Sequence, residues 1–140
     1  MSVQYNKQAF ERFHREVLLA RNFDAIDELV AADVVSHNPL PGQAPGAAGL
    51  KQALKGFFSA LPDMHSTLEE MIAEDDLVAC RFKAGGTHLG EFLGLQPTGK
   101  SFTYEEMVFV RMQDGKIIEH WAVADTLDMM SKMGAIHPTT

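Results

Sequence analysis

Apolar residues in the first third of the chain recur at helical spacing. Phe10, Phe13, His14, Val17 and Leu18 form one stripe, with Glu11, Arg12, Arg15 and Glu16 between them. A shorter helix is expected next, capped by Asp24 and carrying Ile26, Leu29 and Val30 on its apolar side. Residues 38–49, NPLPGQAPGAAG, hold three prolines and three glycines and read as a loop. Leu50, Ala53, Leu54, Phe57 and Leu61 then mark a third helix, which the Pro62-Asp63 step ends. From residue 64 the period changes to two. Residues 65–73 and 77–84 read as strands around a Glu74-Asp75-Asp76 turn. Residues 85–101 hold five glycines, which predicts a bend or bulge before the next strand. Two further strands, 102–113 and 116–124, flank Asp114-Gly115, a strong hairpin signal. A last helix starts near Thr126 and stops at Gly134. Helices first and strands afterwards give an α+β class, with helices on one face of a mostly antiparallel sheet.

The long hairpin carries the chemistry. With a two-residue turn Gln113 opposes Lys116, and an unbroken register follows from there. One face then carries Tyr104, Glu106, Val108, Val110 and Met112 beside Ile117, Glu119, Trp121, Val123 and Asp125. The other carries Thr103, Glu105, Met107, Phe109 and Arg111 beside Ile118, His120, Ala122 and Ala124. The aliphatic residues of the first face put it under the helices, so Glu106, Glu119 and Asp125 are expected among apolar neighbours. Carboxylates are seldom buried unpaired, and a carboxyl beside aromatic walls suits a tuned general acid or base. Asp125 could also cap the last helix, but a functional role is favoured for it, since capping and pocket lining need not exclude each other. Glu119 is better read as structural, paired with Arg81 or Arg111, and Glu106 stays open between the two roles.

Composition narrows the function classes. The chain has 140 residues, 46% hydrophobic and 22% charged, which fits one globular domain over 1–140 and argues against disorder. Its formal charge of -7 is evenly spread and offers no basic stripe, so nucleic acid is not an expected partner. No apolar run approaches the ~20 residues of a membrane helix, and the N-terminus lacks a secretory pattern. The single Cys80 excludes an intrachain disulfide, and a cytoplasmic location is expected. Gly94 to Ser101, GLQPTGKS, matches the phosphate-loop pattern letter by letter. A strand follows it rather than a helix, so nucleotide binding is rejected. The six histidines (His14, His37, His65, His88, His120, His137) lie far apart, with no metal-ligand spacing, so a metal site is not expected.

Several segments together resemble the SnoaL-like polyketide cyclases, within the nuclear-transport-factor-2-like superfamily. They are Asp33-Val34-Val35-Ser36-His37-Asn38-Pro39, Gly49 with its helix, Leu61-Pro62-Asp63 and Glu74 to Arg81. Gly86-Thr87-His88-Leu89-Gly90, Pro97-Thr98-Gly99-Lys100, and Asp114-Gly115-Lys116-Ile117 running into Glu119-His120-Trp121 and Asp125 complete the set. The resemblance implies a cone-shaped α+β barrel whose curved sheet wraps an apolar pocket closed by the N-terminal helices. It also implies cofactor-independent aldol cyclisation of a polyketide-like substrate. By the Trp-x-x-x-Asp spacing it assigns the acid/base role to Asp125, and it makes His37 and His88 candidates for the pocket wall with Tyr104, Glu106, Glu119 and Trp121. The same fold also houses isomerases, epoxide hydrolases and non-catalytic binders of small hydrophobic ligands, so the fold alone fixes no substrate. Finally, the apolar outer hairpin face (Met107, Phe109, Ile118, Ala122, Ala124) is expected to form a homodimer interface.

Overall fold

The computed structural model describes residues 2–92 and 94–134; His137 lies outside them. Helix α1, Val3–Phe13, is capped by Ser2 and continues into π-helical turns over His14–Leu19. A 3₁₀ turn, Phe23–Ala25, leads into the short α2, Ile26–Leu29. Strand β1, Val30–Ser36, comes before the second long helix, α3, Gly46–Ala60. Strands β2 (His65–Glu74), β3 (Leu77–Thr87), β4 (Ser101–Gln113) and β5 (Lys116–Ala124) follow, and α4 (Thr126–Lys132) ends the described chain.

The five strands form one sheet in the order β1-β5-β4-β3-β2. Three neighbouring pairs are antiparallel, and β1 runs parallel to β5 along the edge. The helices and the strands' inner faces bury two apolar clusters: in one, Phe10, Val17, Ile26, Val78 and Val110 are almost wholly removed from water, and the other gathers Leu61, Phe102, Met129 and Met133. Burying such a side chain contributes about 1.5–3 kcal/mol each.

Residues 46–49, expected in the loop, already belong to α3, and Asp24 makes no cap hydrogen bond to the short helix. Two expectations about the strands are also corrected. The helical reading of Ile26, Leu29 and Val30 runs one residue too far: Val30 opens β1, and nothing in the periodicity marks residues 30–36 as a strand. Their composition, Val-Ala-Ala-Asp-Val-Val-Ser, alternates weakly because β1 is an edge strand buried at only Val30 and Val34.

The second correction decides the site. Asp114 (φ 51°) and Gly115 (φ 78°) make the expected two-residue turn, and Gln113↔Lys116 and Met112↔Ile117 pair as read from sequence. The next pair is Arg111↔Glu119, so Ile118 is an extra residue bulged out of β5. Beyond it every β5 side chain changes face. His120 now opposes Val110, Trp121 opposes Phe109, Ala122 opposes Val108, and Ala124 opposes Glu106.

Candidate functional site

A cavity of about 450 Å³ lies between the sheet and the helices, within the usual range for small-molecule sites. Phe10 and Phe13 of α1 and Leu50, Leu54 and Phe57 of α3 close it from above. The inner sheet supplies Phe82, Ala84, Tyr104, Val108, Ile117 and Ala122, and Met129 of α4 closes one end. The loop after β1 contributes Asn38 to Pro41 and Gln43. Among the described residues that line the cavity there is no lysine or arginine.

Four titratable side chains of the sheet line this space: His65 at the start of β2, Tyr104 and Glu106 on β4, and His120 on β5. Glu106 sits on β4 between Phe82 of β3 and Ala124 of β5. No protein donor among the described residues satisfies its carboxylate, and burial pushes its pKa up to about 7. Burial also raises the Tyr104 hydroxyl, with the Glu106 charge adding to the effect. His120 faces the cavity from β5, and burial pushes its pKa down to about 4, with His37 adding a smaller repulsion. It is therefore a neutral imidazole near pH 7. A buried pair stands behind the wall: His14 Nε2 lies 2.8 Å from the Oγ of cavity-lining Ser66, and burial lowers the imidazole's pKa.

The structure brings only two of the seven sequence candidates into the cavity wall, Tyr104 and Glu106. Glu119 and Trp121 lie on the outer face, where the bulge puts them. Glu119 accepts a hydrogen bond from Arg111 Nε (3.0 Å) and pairs with His37 Nε2 (2.9 Å), as its structural reading anticipated for Arg111. The His37 bond, then Arg111, holds its carboxyl below the ordinary range. His37 stacks on Trp121 at 4.5 Å between ring centroids and likewise belongs to the outer face. His88 is fully buried away from the cavity wall; its Nδ1 accepts the Thr98 N–H at 3.3 Å and fastens the loop before β4. Asp125 is exposed and accepts the Asp128 N–H at 3.1 Å, capping α4. Its neighbours Ala124 and Thr126 line the cavity, and Asp125 itself does not.

His120 is the residue that sequence reasoning missed. An unbroken register assigns it to the outer face, and a single bulge overturns that register. The only local sign is the pair Ile117-Ile118, two adjacent aliphatic residues where strict alternation allows one to be inside. The phosphate-loop lookalike behaves as expected, since it enters β4 and no helix.

A helix-covered sheet around a mostly apolar cavity, with an acid on its floor that has no partner among the described residues, defines the cone-shaped α+β class. The SnoaL-like polyketide cyclase family model matches residues 8–133, and the chain belongs to that family. It is 31% identical over 115 residues to aklanonic acid methyl ester cyclase DnrD of Streptomyces peucetius, covering 80% of this chain and 76% of that protein. The crystal structure of IdmH from Streptomyces antibioticus superposes with a TM-score of 0.80 at 31% identity, over 92% of this chain and 98% of that one. TsrD from Streptomyces laurentii, at 22% identity, shares the fold with a TM-score of 0.87 over 97% and 99% of the two chains.

Proposed function

We propose that the protein catalyses a cofactor-independent intramolecular aldol cyclisation of a polyketide-like substrate, with Glu106 as the proton-transfer group. The observation that carries this reading is a carboxyl without a protein partner among the described residues, on the floor of a mostly apolar cavity, where burial pushes its pKa up to about 7. A group poised there is ionised often enough to act as base and protonated often enough to act as acid. The Glu106 carboxylate takes a proton from a carbon flanked by carbonyls. The resulting enolate carbon attacks a ketone of the same molecule, forming the carbon–carbon bond. The alkoxide left on the former ketone oxygen then takes the proton back from Glu106, so no proton is consumed. The cavity supplies the folded conformation that brings the two carbons together. Asp125 is assigned the helix cap and not the chemistry.

The assay is conversion of an aromatic polyketide methyl ester, of the kind named for the related cyclases, to its ring-closed product by mass spectrometry and chiral chromatography. E106Q loses about 100- to 10,000-fold in kcat, and D125N stays close to wild type. Full activity in E106Q sinks the assignment. Tight ligand binding without turnover in the wild type favours a binding domain instead.

The outer face supports a homodimer built through the long strands. After the bulge it carries Met107 (59% exposed), Phe109 (49%) and Val123 (71%) around Trp121, in place of the Ala122 and Ala124 expected from sequence. Sedimentation equilibrium of wild type and of F109E/V123E tests this, and a wild-type monomer at micromolar concentration refutes it. Buried, unpaired Cys80 fits a reducing, cytoplasmic setting, and among the described residues no helix is long and apolar enough to cross a membrane.

A further inference from the structure

The cavity has a second polar end that the proton-transfer chemistry does not use. His120 pairs with Val110, four residues along β4 from Glu106. At about 3.3 Å of rise per residue the two positions stand about 13 Å apart along the strand. Between them the floor is formed by Val108 and Ala122, which pair with each other and keep it low. Leu54 and Phe57 of α3 lie among the residues that close the cavity from above. A ligand that reaches from Glu106 to His120 is therefore elongated and largely apolar.

Each polar neighbour at the His120 end already holds a hydrogen bond within the protein. Ser36, in register with His120 on β1, receives the Gln43 Nε2 at 3.4 Å. Gln43 Oε1 accepts the Leu40 N–H at 3.1 Å, and Asn38 Oδ1 accepts the Ala122 N–H at 3.0 Å. The His120 ring has no protein hydrogen-bond partner among the described residues, although it faces the cavity. The ring is half-buried and opens on the cavity, so a ligand group or a water that enters there completes its hydrogen bonding. No cationic side chain among the described lining residues is present to receive an anion at that end.

We propose that His120 forms a second ligand subsite, which hydrogen-bonds an uncharged oxygen at the far end of a flat aromatic ligand and so sets which carbon is presented to Glu106. This deepens the cyclase reading and rests on the same cavity. His120 is a positioning residue here, since it touches the ligand's far end and not the reacting atoms. A neutral imidazole donates to a ring carbonyl through one nitrogen and accepts from a phenol through the other, so either oxygen is served.

The test uses a matched pair of probes that cannot be cyclised, fluorene and 2-hydroxyfluorene, titrated against the full chain at pH 7 by equilibrium dialysis. In H120L the affinity for fluorene stays within about twofold of wild type. The preference for 2-hydroxyfluorene over fluorene falls roughly tenfold, the loss expected for one buried hydrogen bond. H120Q keeps part of that preference. A folded H120L with wild-type preference overturns the proposal. Should H120L fail to fold, ¹⁵N NMR of the wild-type imidazoles decides. 2-Hydroxyfluorene must move the His120 ring nitrogens and fluorene must leave them in place; equal or absent shifts overturn it. The probes report binding alone, so failure here leaves Glu106 untouched. Failure of wild type to bind either probe sinks the cavity as a ligand site, and the cyclase reading with it.

Discussion

Replacing Glu106 by glutamine removes a buried ionisable group while keeping its shape, and the consequence for stability has a definite sign. In the unfolded chain the carboxyl titrates near 4.5; in the folded chain burial moves this to about 7. Below 4.5 both states hold the proton and the group costs nothing. As the pH rises through this window the unfolded state releases its proton first, so wild-type stability is progressively lost until the folded carboxyl ionises near 7. At ~1.4 kcal/mol for each tenfold change in proton affinity, the full penalty is about 3 kcal/mol. Water entering the cavity reduces it, and about 1–2.5 kcal/mol is the change expected between pH 5 and pH 8. The amide of the E106Q variant does not titrate and has no such dependence. Urea denaturation of both proteins at pH 5, 6, 7 and 8 should show E106Q gaining on wild type as the pH rises. A gap that is flat with pH, or that moves against E106Q, would mean that the carboxylate is paired or solvated. The argument for a poised acid would then fail.

Loss of the α4 cap in D125A should cost about 1 kcal/mol in urea denaturation with turnover retained, and D125N should cost less. A catalytic collapse at unchanged stability would return proton transfer to Asp125. Cys80, whose thiol burial pushes up to about 12, should resist iodoacetamide at pH 8 in the native chain and react readily in denaturant; rapid native labelling contradicts its burial. S66A leaves the buried His14 Nε2 without its partner, and a loss of about 1–3 kcal/mol in thermal or chemical denaturation is expected. An unchanged S66A would mean that the pair contributes nothing net.

Much of the architecture is legible because it rests on periodicity. The Phe10-Phe13-Val17 stripe, the body of α3 from Leu50 onward and the Asp114-Gly115 hairpin each follow from spacing and turn chemistry alone, while the first turn of α3, Gly46 to Gly49, is hidden by its glycines and the proline before it. Strand β1 is not legible: a half-exposed edge strand of seven residues carries too few inward apolar positions to announce itself beside the helix that feeds it. The site is legible only in part. Tyr104 and Glu106 lie on β4, before any irregularity is reached, and their inward placement follows from Val108, Val110 and Met112. Glu119, Trp121 and His120 lie beyond Ile118, where the correct answer depends on one unpaired residue. His37 and His88 came from motif resemblance, which located their segments and did not specify which side of the sheet each ring would occupy.

The bulge itself follows from what an unbroken register would bury. Without it, Glu119 would enter the apolar interior while Arg111 stayed outside, leaving a desolvated charge without a partner at a cost of several kcal/mol. Trp121 and Val123 would also point inward, in place of Ala122 and Ala124, and would fill the space above Val108 and Glu106. With Ile118 looped out, Glu119 meets Arg111 at 3.0 Å and His37 at 2.9 Å on the outer face. The inner face beyond Ile117 is left with His120 and two alanines. Adding one residue to a strand breaks ladder hydrogen bonding locally, but it pairs a charge, spares a large side chain from burial and leaves the cavity open. The same shift that hides His120 from a sequence reading thus gives this chain both a cavity and a neutral polar group at its far end.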